Sequence, residues 1–159
     1  MSTALAVRPL ERDAFAPYGR VVEQPERPPD AEGPGWRWWA ETASLAATGD
    51  AYGVGFLDLE PAPLRFDWAE RHERSPEMIV ALAGDCMVYV APADPGRDEP
   101  GPFEVFRLRP GQGVILSPGV WHGAPLAAGG PAAAMVLLRE RTGVEDVAIV
   151  RFDGVPVAG

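Results

Sequence analysis

Residues 64–84 read LRFDWAERHERSPEMIVALAG. Taken at every second position, Leu64, Phe66, Trp68, Glu70 and His72 fall on one face of an extended strand, because side chains alternate across a strand with period two. Three large apolar groups thus lead into a carboxylate and an imidazole that point the same way. Glu77 then opens a second apolar run, EMIVALA, which ends at Gly84-Asp85 and is followed by CMVYVAP. The two runs read as a hairpin with a two-residue turn. If Ala83 pairs with Cys86, then Ile79, Ala81, Val88 and Val90 share an inner face with Glu77. The opposite face, with Met78, Val80, Leu82, Met87 and Tyr89, is apolar as well. A sheet apolar on both sides needs cover on both. The N-terminal segment or a second subunit would supply it, and a homodimer is predicted.

Outward from this segment the chain continues as short strands broken by Gly, Pro and Asp. Residues 4–8 read as a strand, and LERDAFAPYG as a helical turn or two before Pro17 and Gly19 stop it. Residues 24–35 form a proline- and glycine-rich loop. Trp36, Trp38 and Trp39 read as core or interface ballast, since rings this large dominate packing. Residues 51–59 alternate in the β manner. Strands follow at 103–108, 114–117 and 132–138, and GVEDVAIVRF adds one more. Turns every ten residues or so indicate an all-β sandwich or barrel with a short N-terminal helical turn, in one domain spanning 1–159.

Composition narrows the function. The chain has 159 residues, is 47% hydrophobic and carries a net charge of −9, with fourteen arginines and no lysine. That balance argues against nucleic acid, which requires a basic face, and against an anionic membrane surface. A small anionic substrate remains open, because one local arginine outweighs the global field. Cys86, the single cysteine, lies in the strand-like CMVYV and reads as a buried small hydrophobe. There is no run of eighteen apolar residues and no basic-then-apolar leader, so a cytoplasmic protein is expected.

His122 is the only other histidine, fifty residues beyond His72 in GQGVILSPGVWH. The spacing Glu70-x-His72-x4-Glu77-x6-Gly84 resembles the first motif of the cupins, with Glu70 in place of the first histidine. The segment from Gly113 to His122 resembles the second, shortened and without its closing asparagine. The resemblance implies a cupin-like β-barrel or double-sheet sandwich whose two motifs converge at the barrel mouth. Most of the chain is also similar to the bacterial ureidoglycolate lyase family, a cupin-type family. The carriers are Phe15, Tyr18 and Gly19 in the opening, the triplet Glu70-Arg71-His72, and Trp121-His122. Two departures stand beside the site. Glu73 to Glu77 replace the family's usual continuation, with Glu77 where the family often has Gln. Gly123 stands where a second histidine is common.

The resemblance implies a carbon–nitrogen lyase that splits ureidoglycolate into glyoxylate and urea, in purine and allantoin nitrogen salvage. Histidine suits the two proton transfers, since its ordinary pKa of about 6.5 lies near working pH. His72 and Glu70 are assigned to the hydroxyl proton and His122 or Glu77 to the leaving nitrogen, with the division between acid and base open. An inward Glu70 behind Trp68 needs a partner. Either no cofactor is required, or His72, Glu77 and His122 hold a divalent transition metal, with Glu70 as a fourth ligand. Without lysine, the substrate carboxylate falls to arginine or backbone N–H groups. Arg71, Arg74 and Arg107 are the candidate substrate-binding cations, with Trp121 beside His122. Two rivals stay open: a metal-dependent cupin acting on another small carboxylate as dioxygenase or isomerase, and a non-catalytic small-molecule-binding barrel.

Overall fold

The computed structural model describes residues 3–46 and 48–159. Its strands are β1 (Val7–Pro9), β2 (Gly19–Val22), β3 (Ala31–Gly33), β4 (Trp36–Trp38), β5 (Tyr52–Leu59), β6 (Arg65–Arg71), β7 (Glu77–Ala83), β8 (Cys86–Ala91), β9 (Glu104–Leu108), β10 (Gly113–Leu116), β11 (Trp121–His122), β12 (Leu126–Ala127), β13 (Ala132–Arg139) and β14 (Ala148–Pro156). Two one-turn helices, α1 (Arg12–Phe15) and α2 (Thr142–Glu145), complete the elements. One sheet runs β1-β9-β8-β11-β6-β14, with β12 also on β8; the other runs β2-β10-β7-β13-β5. Neither path closes into a barrel. The all-β, two-sheet cupin-like class read from the sequence therefore describes the molecule. No helix among the described residues is long and apolar enough to cross a membrane.

The expected hairpin at Gly84-Asp85 is a corner instead. β7 pairs with β10 and β13, whereas β8 pairs with β9, β11 and β12, so the chain changes sheets at this turn. Gly84 allows the change. It sits at φ +65°, and a Cβ there would come within 2.3 Å of the Pro131 carbonyl oxygen. The predicted inner face survives, because both strands turn it toward the space between the sheets. Ile79, Ala81, Val88 and Val90 pack there with Phe15, Phe106, Leu108, Val114 and Leu116.

The other face of β8 is covered by its own sheet. Met87 and Tyr89 pack with Phe66, Val105, Trp121 and Val157, and with Leu5 and Val7 from the N-terminal segment. A single bridge, Leu5 to Val157, joins the chain just before β1 to the chain just after β14. Burying each of these large side chains contributes about 1.5–3 kcal/mol. The matching face of β7 is less covered, and Leu82 is 45% exposed.

Three local expectations change. Leu64 and Phe66 do not share the face of Trp68, Glu70 and His72; they join the second apolar cluster. The β6–β14 register shifts between Arg151 and Val155, so that β14 carries two extra residues opposite the step from Phe66 to Trp68. The segment GVEDVAIVRF is a strand only from Ala148; before it, Arg141 adopts φ +64° and α2 forms. The tryptophans do not enter the core, for Trp36 and Trp38 are more than half exposed on the β3–β4 hairpin.

Candidate active site

Two sheets supply one cluster. Glu70 near the end of β6 and His122 on β11 are directly paired across the seven-stranded sheet, and His72 follows β6 by one residue. Glu77, the first residue of β7, faces them from the five-stranded sheet, where Leu138 is its neighbour. The His72 and His122 rings lie 5.2 Å apart between centroids, at 67°. His72, Glu77 and His122 are buried, whereas the Glu70 side chain is about a quarter exposed.

Backbone carbonyls set both rings. His72 Nδ1 donates to the Asp146 carbonyl at 2.8 Å, and His122 Nδ1 donates to the Val120 carbonyl at 2.9 Å. A carbonyl only accepts, so each Nδ1 carries a proton and each Nε2 is the atom presented to the site. His122 Nε2 hydrogen-bonds Glu77 Oε2 at 3.1 Å. His72 Nε2 lies 3.2 Å from the same oxygen but off the hydrogen-bond direction, so this contact is ionic rather than a formed hydrogen bond. Glu70 Oε1 stands 3.8 Å from His72 Nε2 on the more open side.

The charges follow from this packing. Burial alone pushes the Glu77 carboxyl up, but the two imidazoles, His122 foremost, outweigh it and hold the carboxyl at about 2. Burial pushes both histidines down, and Glu77 with the two backbone carbonyls outweighs it, so both are raised toward the imidazolium. For His72, the charge on His122 works against this rise.

A cleft of about 260 Å³ opens beside the cluster. Trp68, Glu70, His72 and Glu77 form one wall, and Leu57, Val136 and Leu138 an apolar one. Gly123 and Gly143 also border it, while His122 stands behind the wall, bonded to Glu77. At Gly123 no side chain fits. A Cβ would stand 1.7 Å from the Tyr89 hydroxyl, which donates to the Trp68 carbonyl at 3.0 Å. Burial, with Glu70 and Asp67 nearby, pushes the Tyr89 pKa up, so it remains a neutral donor.

The four proposed catalytic residues are thus brought together, and the proposed substrate-binding set is not. Arg71 points away from the cleft, stacks 4.7 Å from the Trp121 ring, and donates to the Arg97 carbonyl at 2.7 Å and to Asp98 at 3.2 Å. Trp121 is buried in the second apolar cluster. Arg74 is exposed, and Arg107 lies near Asp85 on β9. Among the described residues, no arginine lines the cleft. The expected metal triad changes by one member. Ligand atoms of Glu70, His72 and His122 lie within 4.8 Å of one another, while Glu77 serves as the counter-charge between the rings. Sequence reasoning missed Asp146, whose contact with His72 spans 74 residues and leaves no spacing signal.

The chain is similar to known proteins over most of its length. A sequence model of the ureidoglycolate lyase family matches residues 2–157. A relative named ureidoglycolate lyase 2, from Rhizobium meliloti (strain 1021), is 35% identical over 130 residues, covering 75% of this chain and 76% of its own. A ureidoglycolate lyase from Mesorhizobium japonicum is 29% identical, with 86% of each chain covered. Among solved structures, a dTDP sugar isomerase from Desulfovibrio desulfuricans G20 superposes with a TM-score of 0.53 at 17% identity, covering 86% of this chain and 87% of that one, a likeness of fold.

Proposed function

The chain belongs to the ureidoglycolate lyase family, and from that premise we propose that it cleaves ureidoglycolate to glyoxylate and urea. One carbon of this substrate bears a hydroxyl, a carboxylate and a urea nitrogen. Cleavage breaks the carbon–nitrogen bond, converts the hydroxyl into the carbonyl of glyoxylate, and moves one proton from oxygen to nitrogen. The protein is thus a carbon–nitrogen lyase. Glu70, the most exposed of the four residues, takes the hydroxyl proton. His72, assigned from the sequence to the hydroxyl proton with Glu70, is moved to the other step: it lies in the cleft wall biased toward its imidazolium, where His122 does not reach, and gives a proton to the departing nitrogen. Glu77 keeps the charge on His72, and His122 keeps Glu77 ionised. A positioned acid or base of this kind contributes ~10²–10⁴-fold. In this reading the enzyme serves purine nitrogen salvage in the cytoplasm and needs neither nucleic acid nor membrane.

The observation that carries the proposal is the convergence of two Nε2 atoms on one Glu77 oxygen, with Glu70 beside them on the open side. A divalent metal fits the same place. Glu70, His72 and His122 would hold it, and the carbonyl-bound Nδ1–H groups already turn both Nε2 atoms inward, as metal-ligating histidines require. When bound, it supplies the positive charge for a substrate carboxylate that the cleft's lack of arginine leaves unmet.

Purified protein given ureidoglycolate should release urea and glyoxylate in equal amounts, and release of neither contradicts the proposal. Metal content and chelator sensitivity, measured on the same sample, separate unaided acid–base chemistry from metal assistance.

A homodimer is part of the same reading. Val54, Phe56 and Leu82, at 58%, 72% and 45% exposure, share the outer face of the five-stranded sheet with Met78, Val80, Met135 and Leu137. β5 is also an edge strand with unpaired backbone groups. A second copy covering this face would remove both liabilities. Light scattering at micromolar concentration should give twice the chain mass, and a monomer would contradict it.

A further inference from the structure

One residue remote in sequence holds the loop that carries His72. Asp146 follows α2 and is buried. Its carbonyl accepts His72 Nδ1–H at 2.8 Å, its Oδ1 accepts the Glu73 N–H at 3.0 Å, and its Oδ2 accepts the Arg74 N–H at 2.9 Å. Three consecutive residues are therefore bound by three oxygens of a single one. We propose that Asp146 is a positioning residue for catalysis: its carboxylate ties residues 73 and 74 to the end of α2, so that its carbonyl holds the His72 ring with Nε2 turned into the cleft. This rests on the role proposed above for His72.

The geometry excludes a looser arrangement. The His72 carbonyl is fixed separately, by the Gly119 N–H at 2.7 Å, so the main chain is pinned on one side and the ring on the other. Hydrogen bonds from backbone N–H groups to an ionised carboxylate are among the stronger ones available to a loop. Without the carboxylate, the Glu73 and Arg74 N–H groups lose these acceptors and the link from residues 73 and 74 to α2 is gone. The carbonyl is then held against Nδ1 only by the Asp146 N–H bond to Thr142 and the pairing of Ala148 with Arg71. A displacement of about 1 Å at a reacting group is enough to cost ~10²-fold in rate. The same helix borders the cleft through Gly143, so the wall of the site and the orientation of its acid depend on one short segment.

The test compares Asp146→Ala, Asp146→Asn and Glu145→Ala with the wild type. Glu145 is on the same turn but bonds Arg139 and Arg141 instead. Asp146→Ala should lower kcat for ureidoglycolate by about 10–100-fold with KM within about threefold, the usual cost of losing a partner that orients an active-site group. Asp146→Asn keeps one acceptor oxygen and should recover part of the loss, while Glu145→Ala should stay near the wild-type rate. A spectroscopic signature stands beside turnover: in nitrogen-15 spectra the His72 Nδ1 proton should exchange with water faster in Asp146→Ala than in the wild type. If Asp146→Ala does not fold, Asp146→Asn carries the same comparison. Wild-type kcat in the Asp146 variants, or an unchanged Nδ1 proton in a folded one, overturns the proposal. His72→Ala run alongside separates the two levels. If it is inactive while Asp146→Ala works normally, only the positioning role falls; if it retains turnover, the reading of the site falls and the positioning role with it.

Discussion

Glu70 and Arg71 are adjacent in β6, and their surroundings differ in kind. Glu70 turns inward to a cluster in which two buried imidazoles share one carboxylate. Arg71 turns outward and fastens residues 97 and 98 through a carbonyl and an exposed aspartate, over the face of Trp121. His72, Glu77 and His122 have lost their water and persist because each is matched by another, while Glu70 keeps about a quarter of its side chain in solvent. Breaking such a pair leaves a stranded charge, at a typical cost of 3–5 kcal/mol. The outward contacts are partly solvated, and exposed ion pairs contribute at most about 1 kcal/mol. Ion pairs on the two sides of one strand thus have different meanings: the matched histidine–Glu77 cluster shuts out solvent, while Arg71, itself only 15% exposed, attaches a loop through partners that stay in water.

Removing an inward ring breaks this contrast most sharply. His72→Ala should lower kcat/KM for ureidoglycolate by ~10²–10⁴-fold, measured as glyoxylate release, with the melting temperature falling only a few degrees because His122 still pairs with Glu77 and strands no charge. Unfolding of the variant would instead make His72 a core residue.

The next effect is on stability against pH. The Glu77 carboxyl sits at about 2 in the folded chain against an ordinary 4.5. Its contribution, on the order of 3 kcal/mol, is present above pH 4.5 and is lost as pH falls toward 2. Both histidines are raised, so their contribution is full below 6.5 and is lost as pH rises through their folded values. The two limbs are one interaction seen from its two partners. Glu77→Gln should flatten both in chemical denaturation across pH, and an unchanged profile would contradict the ion pair.

Gly123→Ala is expected to cost about 1–3 kcal/mol, because a Cβ there meets the Tyr89 hydroxyl. Adding Tyr89→Phe should return part of that loss, and strict additivity of the two changes would contradict the contact. Smallest of all, Arg71→Ala should leave kcat within about threefold and lower stability by about 1 kcal/mol. A hundredfold loss would restore Arg71 as a substrate-binding group.

Alternation was sufficient to place Trp68, Glu70 and His72 on one face and Glu77 with Ile79 and Ala81 on another, since each half-buried strand repeats every two residues. It does not record which sheet a strand joins. The Gly84-Asp85 corner therefore looked like a hairpin, and the irregularity opposite Phe66 left no mark. Alternation also turns Arg71 away from Glu70 and His72, as the structure has it, so charge type alone nominates the arginines; packing decides whether such a group faces the cleft. Asp146 was invisible because a backbone carbonyl binding a ring 74 residues away has no signature in residue type or spacing.

The chain contains only two histidines, so its imidazole nitrogen-15 spectrum consists of two ring systems. Titrating chelator-treated wild type and Glu77→Gln tests most directly whether one carboxylate serves both rings. Both rings should titrate above 6.5 in the wild type, and both should move down together in Glu77→Gln. Two rings that titrate at ordinary values, or a substitution that moves only one of them, would contradict the shared site.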